Sequence, residues 1–129
     1  MSLGTLVLKV ARGTPQERGS RWERTGMERL AAGDRAGGVD ALERAANWNP
    51  AQWVAMNNLA WILAEDGRVA EARGWMDRAM SNEAARESAG AWDTEAAVRR
   101  AEGDEEGARE AERRRDELRN GQCTMRNAQ

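Results

Sequence analysis

Residues 53–84 read Trp53-Val-Ala-Met56-Asn-Asn-Leu59-Ala60-Trp61-Ile-Leu63-Ala-Glu65-Asp-Gly67-Arg-Val69-Ala-Glu-Ala72-Arg-Gly-Trp75-Met76-Asp-Arg-Ala79-Met80-Ser-Asn-Glu-Ala84. Trp53, Met56, Leu59/Ala60 and Leu63 recur at steps of three and four, the spacing of one apolar helix face, up to about Glu65. Asp66-Gly67 interrupts the pattern with a turn. Val69, Ala72, Trp75/Met76 and Ala79 then resume it to about Met80, and Ser81-Asn82 mark the next turn. Two amphipathic helices joined by so short a turn form a hairpin with one apolar face.

Outward from this stretch, the chain repeats itself at a spacing of 34 residues: Gly33 falls on Gly67, Gly26 on Ala60, Trp22 on Met56, Leu42 on Met76 and Ala45 on Ala79. A helix is expected from about Glu17 to Ala32, with Trp22, Gly26 and Leu30 on one side. Gly33-Asp34 stops it and caps a second from about Arg35 to Asn47, with Val39, Leu42 and Ala45/Ala46 inward. Asn49-Pro50 is read as the start of the next helix, since Asn caps helix N-termini and Pro suits the first turn. Downstream, a helix over about Ser88 to Glu102 carries Trp92 and Ala96, Gly103-Asp104 turns, and a last helix runs from about Glu105 to Arg119. The interval from Gly67 to Gly103 is 36 residues. A period in this range marks stacked hairpins, each with an apolar face it cannot bury alone. The expected fold class is all-α: a helical domain over 17–120, a flexible arm over 1–16 and a tail over 121–129.

The pattern resembles the tetratricopeptide repeat: Trp, then Leu-Gly or Leu-Ala, a large residue, a turn glycine, an Ala followed by a large residue, and a closing Pro. Residues 53–84 match best through Met56, Leu59-Ala60, Leu63, Gly67, Ala72, Met76 and Ala79, with Ala84 at the usual Pro. Residues 19–50 keep Trp22, Gly26, Gly33, Leu42, Ala45 and Pro50, but place Thr25 and Arg29 where large apolar groups belong. Residues 89–119 keep Trp92, Ala96, Gly103 and Ala108, with Glu95, Arg99 and Glu112 at core places. The resemblance implies a short right-handed α-solenoid of antiparallel hairpins. Arg99 and Glu112 are then read as a solvated end cap, which such arrays need for solubility. Glu105/Arg109 and Glu110/Arg114 are pairs four apart, each worth about 0.2–0.5 kcal/mol on a helix surface.

By the same resemblance, the first helices of successive hairpins line a groove that receives a peptide or partner helix. Its candidates are Glu23, Met27 and Leu30, then Asn57, Asn58, Trp61 and Glu65, then Asp93, Ala97 and Arg100. Trp61 lies off the stripe of Met56, Ala60 and Leu63, so it either presents an aromatic surface of the kind enriched at binding hot spots or fills space between hairpins. Asn57 and Asn58 either bond a ligand backbone or face water. The clamp that holds acidic chaperone C-termini is matched by Asn58 alone, with Glu23, Met27, Gly90 and Thr94 at its other places. Glu23, Glu65 and Asp93 against Arg100 favour a neutral or basic ligand segment.

Composition bounds the function. The chain has 129 residues, no Phe or Tyr, six Trp and six Met, and an apolar share that is largely alanine. Alanine favours helices but buries little area. A net charge of -2, a pI near 5.4 and a mean hydropathy of -0.84 argue against a nucleic-acid partner, although residues 1–21 carry Lys9, Arg12, Arg18 and Arg21 against Glu17. With no His and one Cys, zinc sites, Ser-His triads and Cys-His dyads have no ligands or bases to use. Gly33 to Gly38 lacks the ending of a phosphate loop, and Glu65-Asp66 sits where solvated acids are ordinary. No enzyme activity, metal or cofactor is expected. Cys123 reads as a free thiol in the tail, the run over 3–10 is too short for a secretory core or a membrane span, and a cytoplasmic protein is the expectation. Thr5 to Val10 is β-like and is broken at Arg12-Gly13-Thr14-Pro15. The functional expectation is an adaptor whose groove binds a protein partner, with a structural subunit stacking on a copy of itself as the alternative.

Overall fold

The computed structural model describes residues 14–49 and 52–127. The described residues are helix and turn, without a strand: α1 (Pro15–Ala31), α2 (Arg35–Trp48), α3 (Trp53–Glu65), α4 (Val69–Met80), α5 (Glu83–Arg86), α6 (Ala89–Ala101) and α7 (Glu105–Asn127). They divide into two compact units inside α3, at the Ala55–Met56 step. The β-like segment Thr5 to Val10, nearly all of the expected arm, and Pro50 lie outside the described residues.

Thr14-Pro15, expected to act only as a breaker, instead starts α1 two residues ahead of Glu17. The Thr14 hydroxyl accepts from the Glu17 N–H at 3.1 Å, and the Thr14 N–H donates to the Glu17 carboxylate at 2.9 Å. This reciprocal capping box satisfies donors that a helix start leaves without intrahelical partners. Asn49 also differs from its reading. It closes α2, donating its N–H to Ala45 O, and α3 begins only at Trp53. At the other end α7 continues to Asn127, so the backbone around Cys123 is helical.

Three turns share one bonding scheme. Gly33, Gly67 and Gly103 have φ of 87°, 78° and 83°, a left-handed conformation that side chains with a Cβ resist. Each glycine N–H donates three residues back, to Leu30, Ala64 and Arg100, and the next N–H donates five back, to Arg29, Leu63 and Arg99. This double bond closes a helix by satisfying its last carbonyls. The turn glycines that define the sequence spacing are therefore required by backbone geometry.

In the first unit α1 and α2 run antiparallel and cross on two glycines. A Cβ added at Gly26 would meet Leu42 Cγ at 2.9 Å and Gly38 O at 3.1 Å; one added at Gly38 would meet Leu30 Cγ at 2.5 Å and Gly26 O at 3.1 Å. The two backbones approach closely enough for Leu42 and Leu30 to lie over the opposite glycine. Leu42, Ala41, Ala45 and Ala46 are fully buried.

The second unit has an apolar core and a charged one. Met56, Leu59, Leu63, Met76 and Val98 are its largest fully buried side chains, with Ala72, Ala79, Ala91, Ala108 and Ala111 between them. α4 packs on α6, and α6 on α7. Arg73 of α4 reaches Glu95 of α6 at 3.0 Å, Glu102 at the C-cap of α6 at 2.6 Å, and Asp77 at 3.0 Å on its own helix. The Glu95 side chain is 8% exposed, so this ion pair is largely removed from water.

In the third hairpin α7 buries Ala108 and Ala111 and leaves most of its other side chains exposed, while Arg99 and Glu112 are half-buried and engaged in pairs. Arg99 donates to Gly107 O at 3.0 Å and lies 3.6 Å from the Glu95 carboxylate. Glu112 accepts from Arg100 at 2.8 Å. Arg115, the last of three consecutive arginines over 113–115, donates to Asp93 at 2.6 Å. On the outer face Glu105 and Arg109 stand at 4.0 Å, and Arg114 pairs with Glu117 at 3.3 Å.

Candidate functional site

Of the expected groove residues, Asn57, Asn58, Trp61 and Glu65 lie on consecutive turns of α3, where a spacing of three or four keeps side chains on neighbouring parts of one helix surface. Trp61 is 39% exposed, in contrast to Leu59, Ala60 and Leu63, which are fully buried on the same helix. Its place off the apolar stripe accounts for that exposure. Asn58 is half-buried. Four residues before Trp61, Asn57 has its side-chain Oδ1 buried, with no hydrogen-bond partner among the described residues. An acceptor left in that state costs about 1–3 kcal/mol relative to a bonded one. α3 thus presents a large apolar side chain at its surface, with the unbonded Asn57 oxygen buried one turn before it.

On α1, Met27 is 48% exposed and Glu23 is half-buried. Burial pushes the Glu23 carboxyl above the usual carboxylate range, because its charged form loses hydration. Leu30 does not open outward as a groove residue would: it lies over Gly38 of α2. Two candidates on α6 are paired within their hairpin. Asp93 is bound by Arg115, and Arg100 is bound by Glu105 at 3.0 Å and by Glu112, all on α7. These three residues make contacts within their own hairpins, while the Asp93 and Arg100 side chains stay 37% and 43% exposed. Ala97 is half-buried on α6.

Other interacting residues were not singled out by the sequence reading. Arg73 anchors α4 to α6, and its hydrogen bond holds the Glu102 carboxyl below the usual carboxylate range. On the first unit, Arg18, Arg21, Trp22 and Thr25 line an open cavity of about 270 Å³. Their offsets of three, four and seven place them on one face of α1, a signal present in the sequence but absorbed there into the apolar stripe. Arg44 lies over the Trp22 ring at 5.0 Å from its centroid, and Arg18 over the Trp48 ring at 4.4 Å.

Among the described residues no group of three or more His, Cys, Asp or Glu side chains is placed to hold a metal ion, and no helix is long and apolar enough to cross a membrane. No protein-family model matches the chain, and no curated protein matches it.

Proposed function

We propose that this protein is an interaction module of tetratricopeptide-like hairpins, a short right-handed solenoid, in which the α3 surface around Trp61 takes a peptide or helix from a partner protein. The observation that carries this reading is the exposure of Trp61, 39%, on the same helix as the fully buried Leu59, Ala60 and Leu63. A bound segment would cover the indole, a gain that requires a partner. The tetratricopeptide-like assignment is supported by the three glycine turns with the same backbone bonding and by the buried stripe of Met56, Leu59, Leu63 and Met76.

The test is partner capture from native lysate by the full chain, compared with Trp61→Ala and Asn58→Ala. Capture should fall in both variants while thermal unfolding stays nearly unchanged. Intact capture with shifted unfolding would assign these residues to packing and overturn the reading. A second reading, self-stacking into a homo-oligomer, is favoured by Trp48, which is 43% exposed at the end of α2. A monomeric mass by light scattering across a concentration series excludes it.

A further inference from the structure

Of the asparagines in the chain, only Asn120 precedes a glycine. The backbone nitrogen of a following residue can attack the asparagine carboxamide, and the side chain on that residue, beginning at Cβ, obstructs the approach. Glycine has no Cβ. The pair also lies on the least supported part of α7. That helix has 23 residues against 13 in α6, and, counted from the Gly103 turn, the first residue of α6, Ala89, stands about level with Glu117. The chain from Leu118 onward runs past the start of its hairpin partner. Arg115 makes the last ion pair to α6 among the described residues, Leu118 is half-buried, and Arg119, Asn120 and Gly121 are exposed. A Cβ added at Gly121 would meet nothing within 4 Å. Glycine inside a helix costs about 1 kcal/mol relative to alanine, and poorly packed helix ends open more readily than the core.

We infer that Asn120 is a site of spontaneous deamidation, gated by unwinding of the α7 end. Within a helix each N–H is bonded to the carbonyl four residues back, which withholds the Gly121 nitrogen from reaction. When the last turns open, that nitrogen attacks Asn120 Cγ. A C–N bond forms, the Cγ–Nδ2 bond breaks, and the proton given up by the Gly121 nitrogen ends on the departing ammonia. The product is a succinimide ring, which water opens at either carbonyl. One opening leaves aspartate; the other leaves isoaspartate, in which the main chain runs through the side-chain methylene and is one atom longer. Water is the only other reactant, and no oxidant or reductant takes part. Both products place a new carboxylate near the C-terminal end of a helix, where the dipole disfavours negative charge, and isoaspartate also breaks the register of the helical bonds. The reaction therefore shortens α7 to its packed part, in one direction only.

The experiment ages the full chain at neutral pH, in plain buffer and in guanidinium chloride. Cleavage after glutamate releases residues 118–129 as one peptide, since no glutamate follows Glu117. Mass spectrometry of that peptide locates the gain from replacing NH2 by OH, and electron-transfer fragmentation separates isoaspartate from aspartate. Conversion at Asn120 in buffer should run within about tenfold of its rate in denaturant, as expected of a helix end that opens locally. Asn82, which precedes Glu83, should convert about tenfold more slowly or less, and Gly121→Ala should slow Asn120 by a similar factor in denaturant, where helix stability plays no part. Aged wild type should lose more helical circular dichroism than fresh Asn120→Asp, because only isoaspartate lengthens the main chain. The inference is overturned by an Asn120 that stays intact in buffer while the denatured chain converts, by an unchanged rate in Gly121→Ala, by equal conversion at Asn82, or by an aged chain with the helix content of fresh protein.

Discussion

The second and third hairpins place different chemistry at equivalent positions. Leu59 corresponds to Glu95, Leu63 to Arg99 and Met76 to Glu112, each 36 residues on. In the second hairpin all three side chains are fully buried apolar groups. In the third they are ions: Glu95 with Arg73 and Arg99, Arg99 also on Gly107 O, and Glu112 with Arg100. The same backbone turn, built on Gly67 and on Gly103, carries both. The hairpin architecture is therefore set by turn geometry and helix length, and its interior accepts either apolar contact or satisfied charge. Satisfied charge adds directionality without adding much net stability, since desolvation offsets most of the attraction.

The comparison is most sharply broken in the apolar hairpin. Leu59→Ala should cost about 2–5 kcal/mol, measured by urea denaturation, because it removes a fully buried side chain and leaves a cavity. A loss below that range would mean the site collapses around the smaller residue and that the second hairpin is no better packed than the third.

A smaller effect is expected in the charged hairpin. Arg73→Met leaves the Glu95 carboxylate with Arg99 alone, at 3.6 Å, and the cost should fall below the about 3–5 kcal/mol of breaking a fully buried pair, because that second partner remains and some solvent already screens the arginine. Its side chain is 24% exposed. Adding Glu95→Leu should recover most of the loss, giving a clear coupling energy in a double-mutant cycle. Purely additive costs would show that the two residues act separately.

The smallest effect is acid dependence. The folded Glu102 carboxyl is held low by Arg73, so the unfolded chain takes up its proton first. The stability that pair contributes is present at neutral pH and declines below about pH 5, through the folded pKa. Urea midpoints at neutral and acidic pH should show this decline in the wild type and a weaker one in Arg73→Met. Identical slopes would remove Glu102 from the junction.

What the sequence made legible follows the range over which each interaction acts. Gly33, Gly67 and Gly103 were readable because a positive φ demands glycine at a helix end. Met56, Leu59 and Leu63 were readable because a buried face repeats with the helix period. Thr14 was missed because its cap depends on Glu17 three residues on, and Thr-Pro alone reads as a break. Asn49 was placed at the wrong helix end because asparagine suits both termini.

The ionic residues were harder for a different reason. Glu95 looks misplaced at a core position until Arg73, 22 residues before it, is seen beside it. Asp93 and Arg100 looked like groove residues until their partners on α7 claimed them. Trp61 was open to two readings from its own helix, an aromatic surface or a space filler between hairpins, and the structure leaves it 39% exposed.

The buried alanines have a thermodynamic consequence. Ala41, Ala45, Ala46, Ala55, Ala60, Ala72, Ala79, Ala91 and Ala96 contribute a methyl group each where other cores use isobutyl or phenyl groups. Unfolding such a core wets little hydrocarbon, so its heat-capacity increment is low for the chain length. The dependence of stability on temperature is correspondingly shallow: the fold loses strength slowly on warming or cooling, from a maximum that is itself modest.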